Sequence, residues 1–112
     1  MKLYNTLTRH VCDLATEDNK VRIYLCGVTV YDDSHIGHAR TVIVFDILRR
    51  YLKFKGHDVQ LIQNFTDIDD KIIDRARREH LGVKKLTEKY IESYFVDFDS
   101  LNILRADVYP RA

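Results

Sequence analysis

The chain has 112 residues, 46% hydrophobic and 31% charged, which is the length and composition of one small folded domain or a piece of one and argues against disorder. A formal net charge of +1 makes no field strong enough to require or forbid a polyanionic partner. Two cysteines, Cys12 and Cys26, are too few for a disulfide framework and form neither a C-x-x-C pair nor a complete zinc site.

No apolar run has the length of a signal-peptide core or a bilayer span, so a cytoplasmic protein without a membrane partner is expected. The first predicted element is "RIYLCGV", residues 22 to 28, an apolar, β-branched and aromatic run that reads as a buried strand ending at Gly27. From Gly37 to Lys55, Val42, Phe45, Ile47, Leu48, Tyr51, Leu52 and Phe54 recur at helical spacing, and Gly56 is a suitable C-terminal stop. "DVQLIQNF", residues 58 to 65, alternates apolar and polar positions as a second strand.

A strand, a helix and a strand make a βαβ unit. Right-handed crossover sets the two strands parallel, with the functional edge at their C-terminal ends near Cys26, Gly27 and Thr66. "TDIDDKIIDRARREHLG" follows as a helix capped by Thr66, acidic in its first turn, with Ile68, Ile72, Ile73 and Ala76 on one stripe and a stop at Gly82. A third helix over residues 84 to 100 carries Leu86, Tyr90, Ile91, Tyr94, Phe95 and Phe98 on one face. "NILRADVYPRA", residues 102 to 112, shows no closing element.

The chemistry concentrates in "HIGH", His35 to His38, where the first strand's loop turns into a helix. Such a start presents free N–H groups and the positive end of the helix dipole. Gly37 lets a ring or phosphate approach the backbone, and imidazoles at i and i+3 reach one ligand from one turn. The plain alternative is two half-buried histidines making capping bonds. Cys26 at a strand end, taken alone, reads as a small buried hydrophobe rather than a metal ligand. Asp67, Asp69 and Asp70 suit either a hard cation or a helix cap, and "RRYLKFK" and "RARR" either phosphate contacts or a solvated face.

With "YLCGVTVYD" at 24 to 32, "YNTLTR" at 4 to 9, "SHIGHARTVIVFD" at 34 to 46, "NFTDIDDKII" at 64 to 73 and "DFDSLNILRAD" at 97 to 107, the chain resembles the cysteinyl-tRNA synthetases, a family of class I aminoacyl-tRNA synthetases. The resemblance runs over nearly the whole chain. It implies an α/β fold, the first half of a Rossmann-like nucleotide-binding domain, with residues 1 to 112 as an N-terminal portion lacking the family's insertion, its K-M-S-K-S signature and its anticodon-binding helices.

It also implies the activity: ATP with Mg²⁺ activates L-cysteine as cysteinyl-adenylate, and the cysteinyl group passes to tRNA(Cys). By the resemblance, His35 and His38 are the catalytic donors, and His35, Ile36, Gly37 and His38 bind ATP. Val28, Thr29, Val30, Tyr31, Asp32, Asp33 and Ser34 complete that motif. Gly27 and Thr66 contact the substrate cysteine, and Cys26 is one zinc ligand, with the others outside this chain. Lys71, Ile72, Ile73 and Asp74 form a second motif, in which some members carry lysine at the position of Asp74. The alternatives are a cysteine ligase of mycothiol synthesis, favoured less by "YNTLTR" and "IDDKII", and a non-catalytic remnant binding a nucleotide or a partner.

Overall fold

The computed structural model describes residues 1–16 and 18–112. The chain opens with an antiparallel hairpin, β1 (Lys2–Asn5) and β2 (His10–Asp13), in which Lys2 pairs with Asp13 and Asn5 with His10. Its turn is closed by Asn5 Oδ1, which accepts from the Leu7 amide at 3.0 Å, and by Arg9 at φ 57°. Both strands are almost wholly exposed, so no alternation of burial marks them in the sequence.

Then come β3 (Lys20–Leu25), α1 (Ile36–Phe54) and β4 (Asp58–Gln63), with β3 and β4 parallel from Lys20 opposite Asp58 to Leu25 opposite Gln63. This is the expected βαβ unit, with both strands ending earlier than the apolar runs do: Cys26, Gly27, Val28 and Asn64, Phe65 lie beyond the ladder. Gly56, at φ 87°, follows the C-cap of α1 and ends it as expected.

The expected Thr66 cap is wrong. Helix α2 is Asp70–Arg78 and its cap is Asp69, whose Oδ1 accepts from the Lys71 amide at 2.9 Å. Thr66 instead bridges Thr29, its amide donating to the Val28 carbonyl and its carbonyl accepting from Val30, so its backbone is already spent. Ile68 therefore sits before the helix and is 64% exposed rather than on the buried stripe with Ile72 and Ala76. Gly82 does not stop α2 either. The helix closes at Glu79, and Gly82 is the N-cap of α3 (Val83–Ser100).

The tail also differs from expectation. Residues 107 to 111 run parallel to β4, with bridges Ile62 to Val108 and Phe65 to Arg111. Asp107 and Leu61 bond through their backbones, the Gln63 amide donates to Val108, and the Phe65 amide donates to Pro110. Pro110 is tolerated because only its carbonyl is used. The outer edge of β4 is thereby covered.

One core, including Leu25, Val42, Leu61, Phe65, Ile72, Leu86, Tyr90, Tyr94 and Phe98, is shared by the sheet, α1, α2 and α3. Phe65 is its pivot, stacked on Tyr109 at 5.1 Å and edge-on to Tyr94 and Phe95. A smaller cluster of Val21, Leu52 and Val59 seats the end of α1. The apolar stripe of α1 is wider than its buried face: Ile47, Tyr51 and Phe54 are exposed.

Candidate functional site

The ends of β3 and β4 come together at a single close approach. Gly27 lies so near Asn64 that a β-carbon there would stand 1.4 Å from the Asn64 carbonyl oxygen, and the Asn64 side-chain Oδ1 accepts from the Gly27 amide at 2.8 Å. Only glycine fits. The loop that follows, after bridging Thr66 through Thr29, forms one wall of a cleft of about 320 Å³. Gly27, Val28, Thr29, Tyr31, Asp32, Asp33, His35, His38 and Lys71 line it.

His35 and His38 form a capping box at the start of α1. His35 is the N-cap, its Nδ1 accepting from the Gly37 amide at 3.1 Å, and His38 Nδ1 accepts from the His35 amide at 3.4 Å. Their rings stack at 3.7 Å with planes 22° apart. The capping part of the plain reading of H-x-x-H therefore holds, but only His38 is half-buried, His35 being exposed. Capping has a chemical consequence, since a ring accepting at Nδ1 is neutral and carries its proton on Nε2, leaving that N–H free to donate. Partial burial, with His35 alongside, holds His38 below the usual imidazole range.

The loop is tied to the helices behind it. Asp33 accepts from the Ser93 hydroxyl at 2.9 Å, and Asp32 lies 3.6 Å from the Arg75 guanidinium, which also binds Glu79 and the Tyr90 hydroxyl. The hydrogen bond from Arg75 holds Glu79 below the ordinary carboxylate range. Of this network only the Arg75 to Glu79 spacing, i to i+4, was visible in the sequence.

Other expected site residues lie elsewhere. Val30 and Ile72 are core side chains, and Ile73 is half-buried. Ile36 is 89% exposed and lines, with Ser34, His35, Phe98 and Leu101, a separate recess of about 350 Å³. Asp74 borders a small groove with Tyr31, Lys71, Arg75 and Arg78. Thr66 and Cys26 sit at the sheet end but do not line the cleft.

Cys26 is exposed, so the buried-hydrophobe reading fails. Among the described residues no three His, Cys, Asp or Glu side chains gather as a metal site would need, so Cys26 offers one sulfur donor and the described residues do not by themselves make a zinc site. The acids of "TDIDD" divide as caps and pairs: Asp69 caps α2, and Asp67 accepts from the Ala112 amide. Arg49 of "RRYLKFK" is 4% exposed and paired with Asp107, so it is neither solvated nor open to a phosphate. No helix among the described residues is long and apolar enough to cross a membrane.

The parallel crossover and its helices match a solved architecture. A methionyl-tRNA synthetase of Mycobacterium tuberculosis, in complex with methionyl-adenylate, shares the fold with a TM-score of 0.72 over 80% of this chain and 18% of that one, at 20% identity. That likeness is one of fold, and the class, the catalytic domains of class I aminoacyl-tRNA synthetases, comes from the family model. Residues 13–112 match the family model described as tRNA synthetases class I (C) catalytic domain, and the chain belongs to that family. Cysteine–tRNA ligases of Rippkaea orientalis and Maridesulfovibrio salexigens are 53% and 55% identical over 100% and 99% of this chain. That of Clostridioides difficile is 53% identical over 99%. The chain spans about a quarter of the length of these curated relatives, 23%, 23% and 24%.

Proposed function

We propose that this chain is the N-terminal part of the catalytic domain of a cysteine–tRNA ligase, and that its cleft is one wall of the site where ATP activates L-cysteine for transfer to tRNA(Cys). The observation that carries the reading is the 53% identity to a cysteine–tRNA ligase over the whole length of the chain, a span that contains the cleft. The chemistry of the cleft supports it. When the cysteine carboxylate attacks the α-phosphate, negative charge builds on the phosphate oxygens, and donors already aimed there are the largest available source of catalysis.

His35 and His38 supply such donors as Nε2–H groups, because their capping bonds fix the other nitrogen as acceptor. Capping and catalysis are thus one arrangement. Ile36 and Gly37 lie on the same exposed turn, where adenine meets little side chain. Gly27, in the cleft lining, and Thr66, beyond the end of β4 and outside that lining, are the residues assigned to the amino acid. Cys26 would be one of the residues holding a zinc ion whose other ligands lie outside the described residues, and such an ion would supply affinity for a thiolate; Mg²⁺ would accompany ATP. The fluid around ribosomes is the matching location.

The test is an ATP titration of the isotopically labelled chain followed by amide chemical shifts. Shifts at Gly37, His38 and the loop from Val28 to Ser34 are expected. Shifts confined to α3, or none with millimolar ATP, would overturn the reading.

A further inference from the structure

We propose that Lys71 is the anion-binding residue of the cleft, holding the phosphate oxygens of a nucleoside triphosphate; the inference rests on the nucleotide reading above and adds the residue that supplies its charge. The two histidines bring no charge, since both Nδ1 atoms accept from backbone amides and a protonated ring would turn a donor against a donor. The remaining charged groups in the lining are Asp32, Asp33 and Lys71. Asp32 is partnered by Arg75 and Asp33 by the Ser93 hydroxyl, while no carboxylate approaches the Lys71 ammonium within 4 Å among the described residues. Without Lys71 the lining would hold two carboxylates and no cation, a surface that repels a polyphosphate.

The lysine is also placed. Its amide is pinned by the Asp69 cap, and its ammonium lies 5.6 Å from the centre of the Tyr31 ring, whose face favours a cation without neutralising it. It stands at the mouth shared by the cleft and a smaller recess of about 170 Å³, to which Arg75 and Arg78 contribute further positive charge and Asp74 the only carboxylate. A phosphate chain extending from the histidines toward that recess meets Lys71, which lines both cavities.

The experiment titrates the labelled 112-residue chain with ATP and, separately, with inorganic tripolyphosphate, for the parent, Lys71→Gln and Lys71→Arg. Lys71→Gln should weaken both ligands about tenfold, the worth of one charge-assisted bond at an open site, and flatten the salt dependence of binding. Lys71→Arg should restore most of both, and because the side chain is exposed the melting temperatures should agree. Unchanged affinity and salt dependence in Lys71→Gln would overturn the assignment, and if ATP still shifts Gly37 and His38 the nucleotide reading survives. Lys71-dependent binding of tripolyphosphate, with ATP no tighter and Gly37 unmoved, would keep the anion site and sink the nucleotide reading. Failure of both ligands to bind the parent overturns both.

Discussion

Replacing Asp107 with alanine should unseat α1 from the sheet. The Asp107 carboxylate binds the Arg49 guanidinium at 2.6 Å through Oδ1 and accepts from the Leu61 amide at 2.7 Å through Oδ2. The Arg49 side chain is 5% exposed and the Asp107 side chain 39%, so the loss strands a buried cation whose partner was half solvated. Breaking a fully buried pair costs about 3–5 kcal/mol, and the half-exposed carboxylate brings this to about 2–3. An orphaned Leu61 amide adds about 1 kcal/mol. The bond from Arg49 to the Arg105 carbonyl survives, but the sum, about 3–4 kcal/mol, is a large part of the 5–15 kcal/mol typical of a whole domain. At about 5 °C per kcal/mol for this length, the thermal midpoint should fall by roughly 15–20 °C. Arg49→Met, which removes the charge that needs compensating, should cost less, about 1–2 kcal/mol. Circular-dichroism melts of the three proteins decide the matter. A loss under about 1 kcal/mol for Asp107→Ala, or a larger loss for Arg49→Met, would refute the latch.

Gly27→Ala should cost more than about 2 kcal/mol and break the Thr29 to Thr66 bridge, since the clash is with backbone; a melt like the parent's would show that the strand ends do not meet so closely. Asp69→Ala should cost about 1 kcal/mol through the lost α2 cap, whereas Thr66→Ala costs less in the same denaturant titration, the reverse of what a Thr66 cap requires. His38 titrates below 6.5 in the folded chain, so the unfolded chain binds the extra proton first and the contribution of His38 is full above pH 6.5 and lost as pH falls below it. Melts from about pH 7.5 to pH 5 should show that loss and His38→Gln should remove it; identical pH profiles would contradict the neutral capping ring. In zinc titrations the chain should bind no tighter than a single exposed thiolate, and a stoichiometric submicromolar site abolished by Cys26→Ser would reveal a ligand set missed among the described residues.

The crossover and the site's position were legible because their signals are local and strong. The long period of α1, the apolar run at β3 and the Gly56 stop each say one thing, although β3 is not the fully buried strand that run suggests: it alternates, with Val21 and Leu25 buried and Tyr24 66% exposed. The hairpin was not, because strands exposed on both faces leave no periodic trace. The tail strand escaped for a related reason. Its pairing is made by backbone groups of 107 to 111, several with exposed side chains, and a proline argues against it. The cap of α2 was misplaced by one turn because threonine and aspartate both cap, and only the Thr29 bridge takes Thr66 out of contention. Within the site, chemistry-bearing residues were legible as types, while what each does depends on partners far along the chain. Arg49 reads as surface charge until Asp107, 58 residues later, is seen to bury it. Cys26 reads as core until the strand is found to end one residue before it.

The histidine pair shows why the two readings of H-x-x-H need not compete. Two imidazolium rings stacked at 3.7 Å would repel by about 1 kcal/mol even at the dielectric of water, and both would face the positive end of α1. The helix start therefore favours neutral rings, and the capping bonds choose which nitrogen stays bare. A neutral ring is a poor electrostatic lure for a polyanion but a good directional donor, at low cost in reorganisation when charge develops on a nearby oxygen. Attraction must then come from a group that stays charged and can follow the ligand, for which a lysine on a flexible stem is suited and a capping histidine is not. On the proposed reading the division of labour follows from the fold: the rigid helix start orients, the exposed ammonium at the start of α2 attracts, and the glycine crossing at Asn64 keeps the two at a fixed separation.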